Sequence, residues 1–186
     1  MTPEHHESGG LMERNEETTL SAAAADPSEV LILEEDVVIP ADLARPIVYA
    51  SQLMLVTALF AGLSGMYVLM ALSVGLWFTS TNFWRDPRLG TRRLMDYTMV
   101  ATNLIYGTVV AIHQPLLYSA GWFVFMGVLA LIFGGNETRF WLNNAKTRSD
   151  YKSVVCVHLT GVHVVANAAA WWLLYGIHKS GNTCCQ

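Results

Sequence analysis

The stretch Ile47–Phe78, IVYASQLMLVTALFAGLSGMYVLMALSVGLWF, runs for 32 residues without a charged side chain. A helix crossing a bilayer needs about 20 apolar residues, so this run is long for one span and short for two with a turn. Gly62 and Gly65 form a small-x-x-small pair, which in membrane helices more often marks close helix packing than a break. The reading is one helix over roughly residues 50–78 with a short interfacial lead-in. A fold-back within the run would add a span.

Three further apolar runs follow. Met95–Ile112 ends at His113-Gln114-Pro115, where proline stops a helix. Leu116–Phe133 begins almost at once and ends at Gly134-Gly135. So short a connection makes these two runs an antiparallel hairpin. Ser153–Ile177 is the last. Trp77, Trp84, Trp141, Trp171 and Trp172 lie near the expected ends, as an interfacial aromatic belt requires. The fold class expected is all-α, an integral membrane four-helix bundle over residues 47–178, with a short tail at 179–186.

Composition agrees. Hydrophobic residues make up 53% of the chain and charged residues 14%, against about a quarter charged in soluble domains. The charge is unevenly placed. Residues 1–46 hold eleven acids and two arginines, while residues 47–186 hold nine Lys/Arg and four acids. The acidic, polar residues 1–25 bury too little to offset their ordering entropy and are expected to be disordered. They have neither the apolar core of a secretory signal nor the basic character of a transit peptide. Residues 26–45, bracketed by Pro27 and Pro40, read as linker.

Loop charge sets the orientation. Residues 79–95 carry Arg85, Arg88, Arg92 and Arg93, and residues 134–152 carry Arg139, Lys146, Arg148 and Lys152. The other side has Arg45 and Lys179. Both basic loops are expected in the cytoplasm, with both termini and the His113 turn opposite. Asn136-Glu137-Thr138, a glycosylation sequon, would then go unused. Cys184-Cys185 would be palmitoylated only if the C-terminus were cytoplasmic. Cys156, in an apolar run, reads as a small buried hydrophobe.

The basic loops are short and flank apolar runs. Their expected partner is an anionic lipid bilayer, met by Arg85, Arg88, Arg92 and Arg93, and not nucleic acid. A homo-oligomer or a membrane-protein partner is compatible with the pattern. Asp96, Asn103, Tyr106 and His113 fall on a stripe about 100° wide. Cys156, Thr160, His163 and Asn167 are spaced four, three and four apart. Facing each other, the two stripes would form a polar seam of Asn103, Tyr106, Thr160 and Asn167. Asp96 would pair with Arg92 or Arg93. His158 lies about 140° from His163 on a straight helix, a poor arrangement for a shared metal.

Ser80, the aromatic turn at Phe83-Trp84 and Asp96 resemble the alkaline ceramidase-type membrane hydrolases, in which a serine, three zinc-bound histidines and an aspartate cleave lipid amides. The resemblance implies Ser80, Asp96 and His163 as catalytic residues, and His163 with His158 as zinc ligands. The family has seven spans, and its histidine four residues after the serine falls on Trp84. The Asn-Phe-Trp-Arg turn followed by Arg-Arg and Asp also resembles multi-pass proteins of algae and large DNA viruses. No phosphate loop, nucleophile elbow or helical H-E-x-x-H is present. The function expected is a non-enzymatic structural or partner-binding membrane subunit without a cofactor. The alternatives are a reduced zinc-dependent lipid hydrolase, or a small transporter or channel subunit lined by Asp96, Asn103, His163 and Asn167.

Overall fold

A computed structural model describes Leu31, Leu33 and residues 36–142 and 147–180 of the 186. The expectations for residues 1–30 and for Cys184 and Cys185 lie outside the described residues. Among the described residues the regular secondary structure is helical, and Val37 and Arg88 form an isolated antiparallel bridge. The helices are α1 (Ala41–Ala50), α2 (Leu53–Leu63), α3 (Tyr67–Trp84), α4 (Thr91–Ile112), α5 (Leu116–Leu142), α6 (Arg148–Val157) and α7 (Val165–Ser180), with a π-helical segment, His158–Val164, joining the last two.

Ile47–Phe78 does not form one helix. Gly65 has φ +74°, a left-handed conformation that only glycine adopts freely. The Gly65 amide donates to the Gly62 carbonyl (3.1 Å) and the Met66 amide to the Ala61 carbonyl (2.8 Å). This is the Schellman stop, in which the glycine and the residue after it satisfy the last carbonyls of a helix. Ala61 and Met66 both sit in one core cluster, which supplies the apolar contact that accompanies this stop. The chain then turns back. Trp77 donates to the Gln52 side chain (3.1 Å), and the Ser51 and Ser80 hydroxyls lie 3.3 Å apart. Both pairs are nearly equidistant from Gly65, so α2 and α3 are antiparallel. Hydropathy alone gave no sign of this, because the turn is as apolar as the helices it joins.

The result is five long helical rods instead of four: α1–α2, α3, α4, α5, and α6 through α7. Three of them, Ala41–Leu63, Leu116–Asn136 and Arg148–Ser180, are long and apolar enough to cross a membrane. An odd count puts the two ends of the described chain at opposite ends of the fold. The Leu89 amide donates to the Asp36 carbonyl (2.7 Å), while at the other end the Ser180 hydroxyl donates to Gln114 (3.3 Å). The described chain therefore begins at the end that carries Arg88 and finishes at the end that carries the His113 turn, whereas the expectation placed both termini opposite the basic loops; the termini themselves lie outside the described residues. Asp36, just before α1, lies beside the 85–90 connection.

Two other boundaries move. α1 begins at Ala41 and passes through Pro46, so the helical part starts before residue 47. α5 continues through Gly134-Gly135 to Leu142, and α6 starts at Arg148, so most of the expected loop 134–152 is helical. Thr147 caps α6 through a reciprocal capping box with Asp150.

Two apolar clusters hold the rods. At the arginine-rich end Val38, Ile39, Ala44, Ile47, Phe83, Trp84, Tyr151, Val154 and Val155 pack together. At the other end Ala61, Leu69, Val110, Trp122 and Leu173 form the centre of the second. Glycines let α5 come close to its neighbours: Gly107 against Trp122, Gly121 against Trp172, Gly176 against Tyr118 and Gly161 against Ile132. Trp122, Trp171 and Trp172 hydrogen-bond within the fold, and Trp84 is buried.

Candidate functional site

Between the two clusters lies a cavity of about 590 Å³. Its walls are mostly apolar, with Val100, Leu104, Met126, Leu129 and Phe133 among them. Ala101 and Ala130 line it and are also exposed, so it opens sideways between α4 and α5. Ser80, Asp96, His158 and His163 line it as well. Two helices, α3 and α4, and the π segment thus bring all four expected site residues to one space.

The histidine pair departs from expectation in a specific way. His158 and His163 have ring centroids 5.3 Å apart. An α-helix advances about 100° per residue, which would splay them. Residues 158–164 are instead π-helical, with i→i+5 hydrogen bonding, so residues five apart fall nearly in line. Such bulges are rare and concentrate at functional sites.

His163 is 2% exposed, and both of its ring nitrogens lack a hydrogen-bond partner. A neutral imidazole carries one donor and one acceptor, and leaving both unmet in the interior is unfavourable. Its backbone is well held: the Asn167 amide donates to the His163 carbonyl (2.7 Å), and Asn167 accepts from the Thr57 hydroxyl (2.5 Å). Trp171 donates to the same hydroxyl (2.9 Å). The backbone at His163 is thus held while the polar atoms of its ring remain unspent. The His158 ring packs at a tilt against Trp84, with centroids 4.7 Å apart.

Asp96 is buried and accepts from the Thr79 hydroxyl (3.3 Å). The expected pairing with its arginine neighbours is not what the structure has. Arg92 reaches Asp86 (3.6 Å), and Arg93 donates to the Tyr97 hydroxyl (2.8 Å). Arg88 bridges Asp36 and Asp86, both at 3.1 Å, and Arg85 is exposed. Ser80 is buried with its hydroxyl beside that of Ser51.

The expected polar seam is divided. Asn103 donates to the Met99 carbonyl of its own helix (2.9 Å) and to the Leu72 carbonyl of α3 (3.2 Å), while Asn167 bonds to α2. They meet only across a small second cavity of about 100 Å³. Tyr106 packs against the far core cluster. Thr160 and Cys156 are exposed, because the π segment turns them away from His163, and Thr160 bonds back to the Cys156 carbonyl (2.7 Å). The reading of Cys156 as buried is corrected for the same reason.

Sequence reasoning missed Ser51, Thr57 and Asn136. Asn136 is buried within α5 and lines the large cavity. Ser51 and Thr57 were hidden in an apolar run, where a hydroxyl is the only available signal.

The described residues do not assemble a zinc site of the kind the hydrolase resemblance implies. A catalytic zinc takes three protein ligands. Among the described residues, no group of three His, Cys, Asp or Glu stands close enough to hold a metal. The position of the family's remaining histidine is filled by Trp84, packed on His158. No family model, curated protein or solved structure matches this chain.

Proposed function

We propose that this is a multi-pass membrane protein that takes a lipid-like molecule into the space between α4 and α5. Its arginine-rich end would lie against an anionic lipid surface, as the basic segments suggest. The observation that carries the reading is the combination of an apolar cavity of about 590 Å³ and an unpartnered, buried His163 on its wall. Small-molecule sites typically measure about 300–1,000 Å³ and pair apolar walls with a few polar groups. A chain of methylenes would lie along Val100, Leu104, Met126 and Leu129. A polar end carrying both a donor and an acceptor would satisfy His163, with Ser80 and Asp96 within the same space. The sideways mouth suits a ligand that arrives from the bilayer. The role is binding, by a subunit acting alone, as a homo-oligomer or with a membrane-protein partner.

The test is lipid analysis of protein purified in detergent. Wild type should retain lipid in stoichiometric amount, and Ala101→Trp with Ala130→Trp, which fills the mouth, should lose it. Wild type that carries no lipid and takes up none from labelled vesicles would refute the proposal.

A second reading, lipid hydrolysis, draws on the placement of Ser80, Asp96 and His163 around one cavity. Stoichiometric zinc in wild type that His163→Ala loses would favour it. Its absence from both proteins would leave binding as the better account.

A further inference from the structure

The arginine-rich end of the cavity is closed by a strap, Asp36–Ile39. Val38 and Ile39 are buried and line the cavity. The strap is held along one edge of the 85–90 connection: the Val38 amide donates to the Pro87 carbonyl (2.8 Å), and the Leu89 amide to the Asp36 carbonyl (2.7 Å). Charge secures it at two points. Arg88 Nη1 donates to both Asp36 oxygens at 3.1 Å, and Arg148 pairs with Asp42 at the start of α1. The acids of the strap region thus occupy arginines from both basic segments. Arg88, Asp36 and Asp42 are each between 42% and 52% exposed, so solutes and headgroups at this end can reach them.

We propose that the strap is a gate worked by anionic bilayer lipid: headgroups that engage the exposed Arg88 displace Asp36, Asp42 parts from the more covered Arg148, the strap lifts, and the cavity opens to the headgroup layer. Guanidinium groups bind planar or tetrahedral oxyanions through paired hydrogen bonds, and a phosphodiester or carboxylate headgroup offers the same partner as an aspartate. An anionic surface also repels Asp36 and Asp42 while attracting the arginines, so both forces act in the opening direction. Asp86 does not substitute as a latch, since it is already shared between Arg88 and Arg92. The apolar seats of Val38 and Ile39 are next to the space a ligand chain would fill, which couples lifting of the strap to occupation of the cavity. The inference rests on the cavity being a lipid site, but the movement of the strap is measurable without any ligand.

The test uses the full chain carrying Ile39→Cys, reconstituted in phosphatidylcholine with or without phosphatidylserine. The rate of alkylation at residue 39 is read by peptide mapping, which separates it from the native cysteines. Alkylation should be about ten-fold faster with phosphatidylserine, as for a local opening favoured by the anionic surface. Adding Asp36→Asn and Asp42→Asn should make it fast in both bilayers. Equal rates in the two bilayers would overturn the gate, as would acceleration by inorganic phosphate in pure phosphatidylcholine that matches the effect of phosphatidylserine. Val37→Cys, on the half-buried edge of the strap, provides a second reporter should Ile39→Cys fold poorly, and the same outcomes decide. A strap that responds in protein that retains no lipid would refute the cavity reading and leave the gate standing.

Discussion

His158 and His163 meet edge to face, ring centroids 5.3 Å apart, although they lie five positions apart in the sequence, and the π turn that holds them is the reason. Gly161 lies at the centre of that turn, against Ile132 of α5, where an added Cβ would collide with the isoleucine side chain. Gly161→Ala should therefore destabilise the protein by about 1–3 kcal/mol, the usual cost of overpacking. Ile132→Ala in the same chain should restore part of it. Thermal unfolding in detergent of the two single variants and the double variant measures the coupling, and simple additivity would show that the contact is not responsible.

Thr57 is the junction of the network behind His163, donating to Asn167 and accepting from Trp171. Thr57→Val keeps the shape and leaves both partners unmet in the interior. The expected loss is about 1–3 kcal/mol. Thr57→Ser should retain most of the stability, and equal melting of the valine and serine variants would count against the network.

Asp96→Asn keeps an acceptor for the Thr79 hydroxyl. Folding should be little changed, within about 1 kcal/mol. Retained lipid should fall. A variant that melts normally and carries a full complement of lipid would remove Asp96 from the ligand's polar contacts.

The odd number of rods makes a prediction about sidedness. In sealed vesicles, an N-terminal tag and a cysteine at Arg88 should be reached by an impermeant reagent from the same side, and a C-terminal tag from the other. Labelling of both tags from one side would restore an even count of crossings.

The ion pairs at the strap should matter little for overall stability. The Arg88–Asp36 pair is exposed, and such pairs contribute about 0–1 kcal/mol, while Asp42 of the Arg148 pair also faces solvent. Asp36→Asn with Asp42→Asn should lower the melting temperature only slightly while loosening the strap. A large loss of stability would mean that these acids hold the fold and not merely one edge of it.

Much of this was legible in the sequence. Pro115 marks the α4–α5 turn where it occurs, and Ser80, Asp96 and His163 do share one cavity. From sequence the Gly62–Gly65 pair allows either close packing or a break with a fold-back, and hydropathy, unbroken across it, does not choose between them; the left-handed Gly65 does. The π segment was hidden more deeply. Projecting His158, Thr160 and His163 on an ideal α-helix fixes their angles in advance, and a single change in hydrogen-bond register moves Thr160 out and His158 in. Asn103 and Asn167 were rightly seen as polar faces, yet which helix each face meets depends on the fold-back at Gly65.

The last rod can also be viewed as two helices out of phase. Tyr151, Val154 and Val155 fit the core at one end, whereas Ala169, Leu173, Leu174 and Ile177 fit the core at the other. The π turn is the phase shifter that lets one continuous rod serve both. A chain shortened by one residue between Val157 and Val165 would have to choose which core to keep. The site at His163 would be lost in either case, since it exists only where the two phases meet.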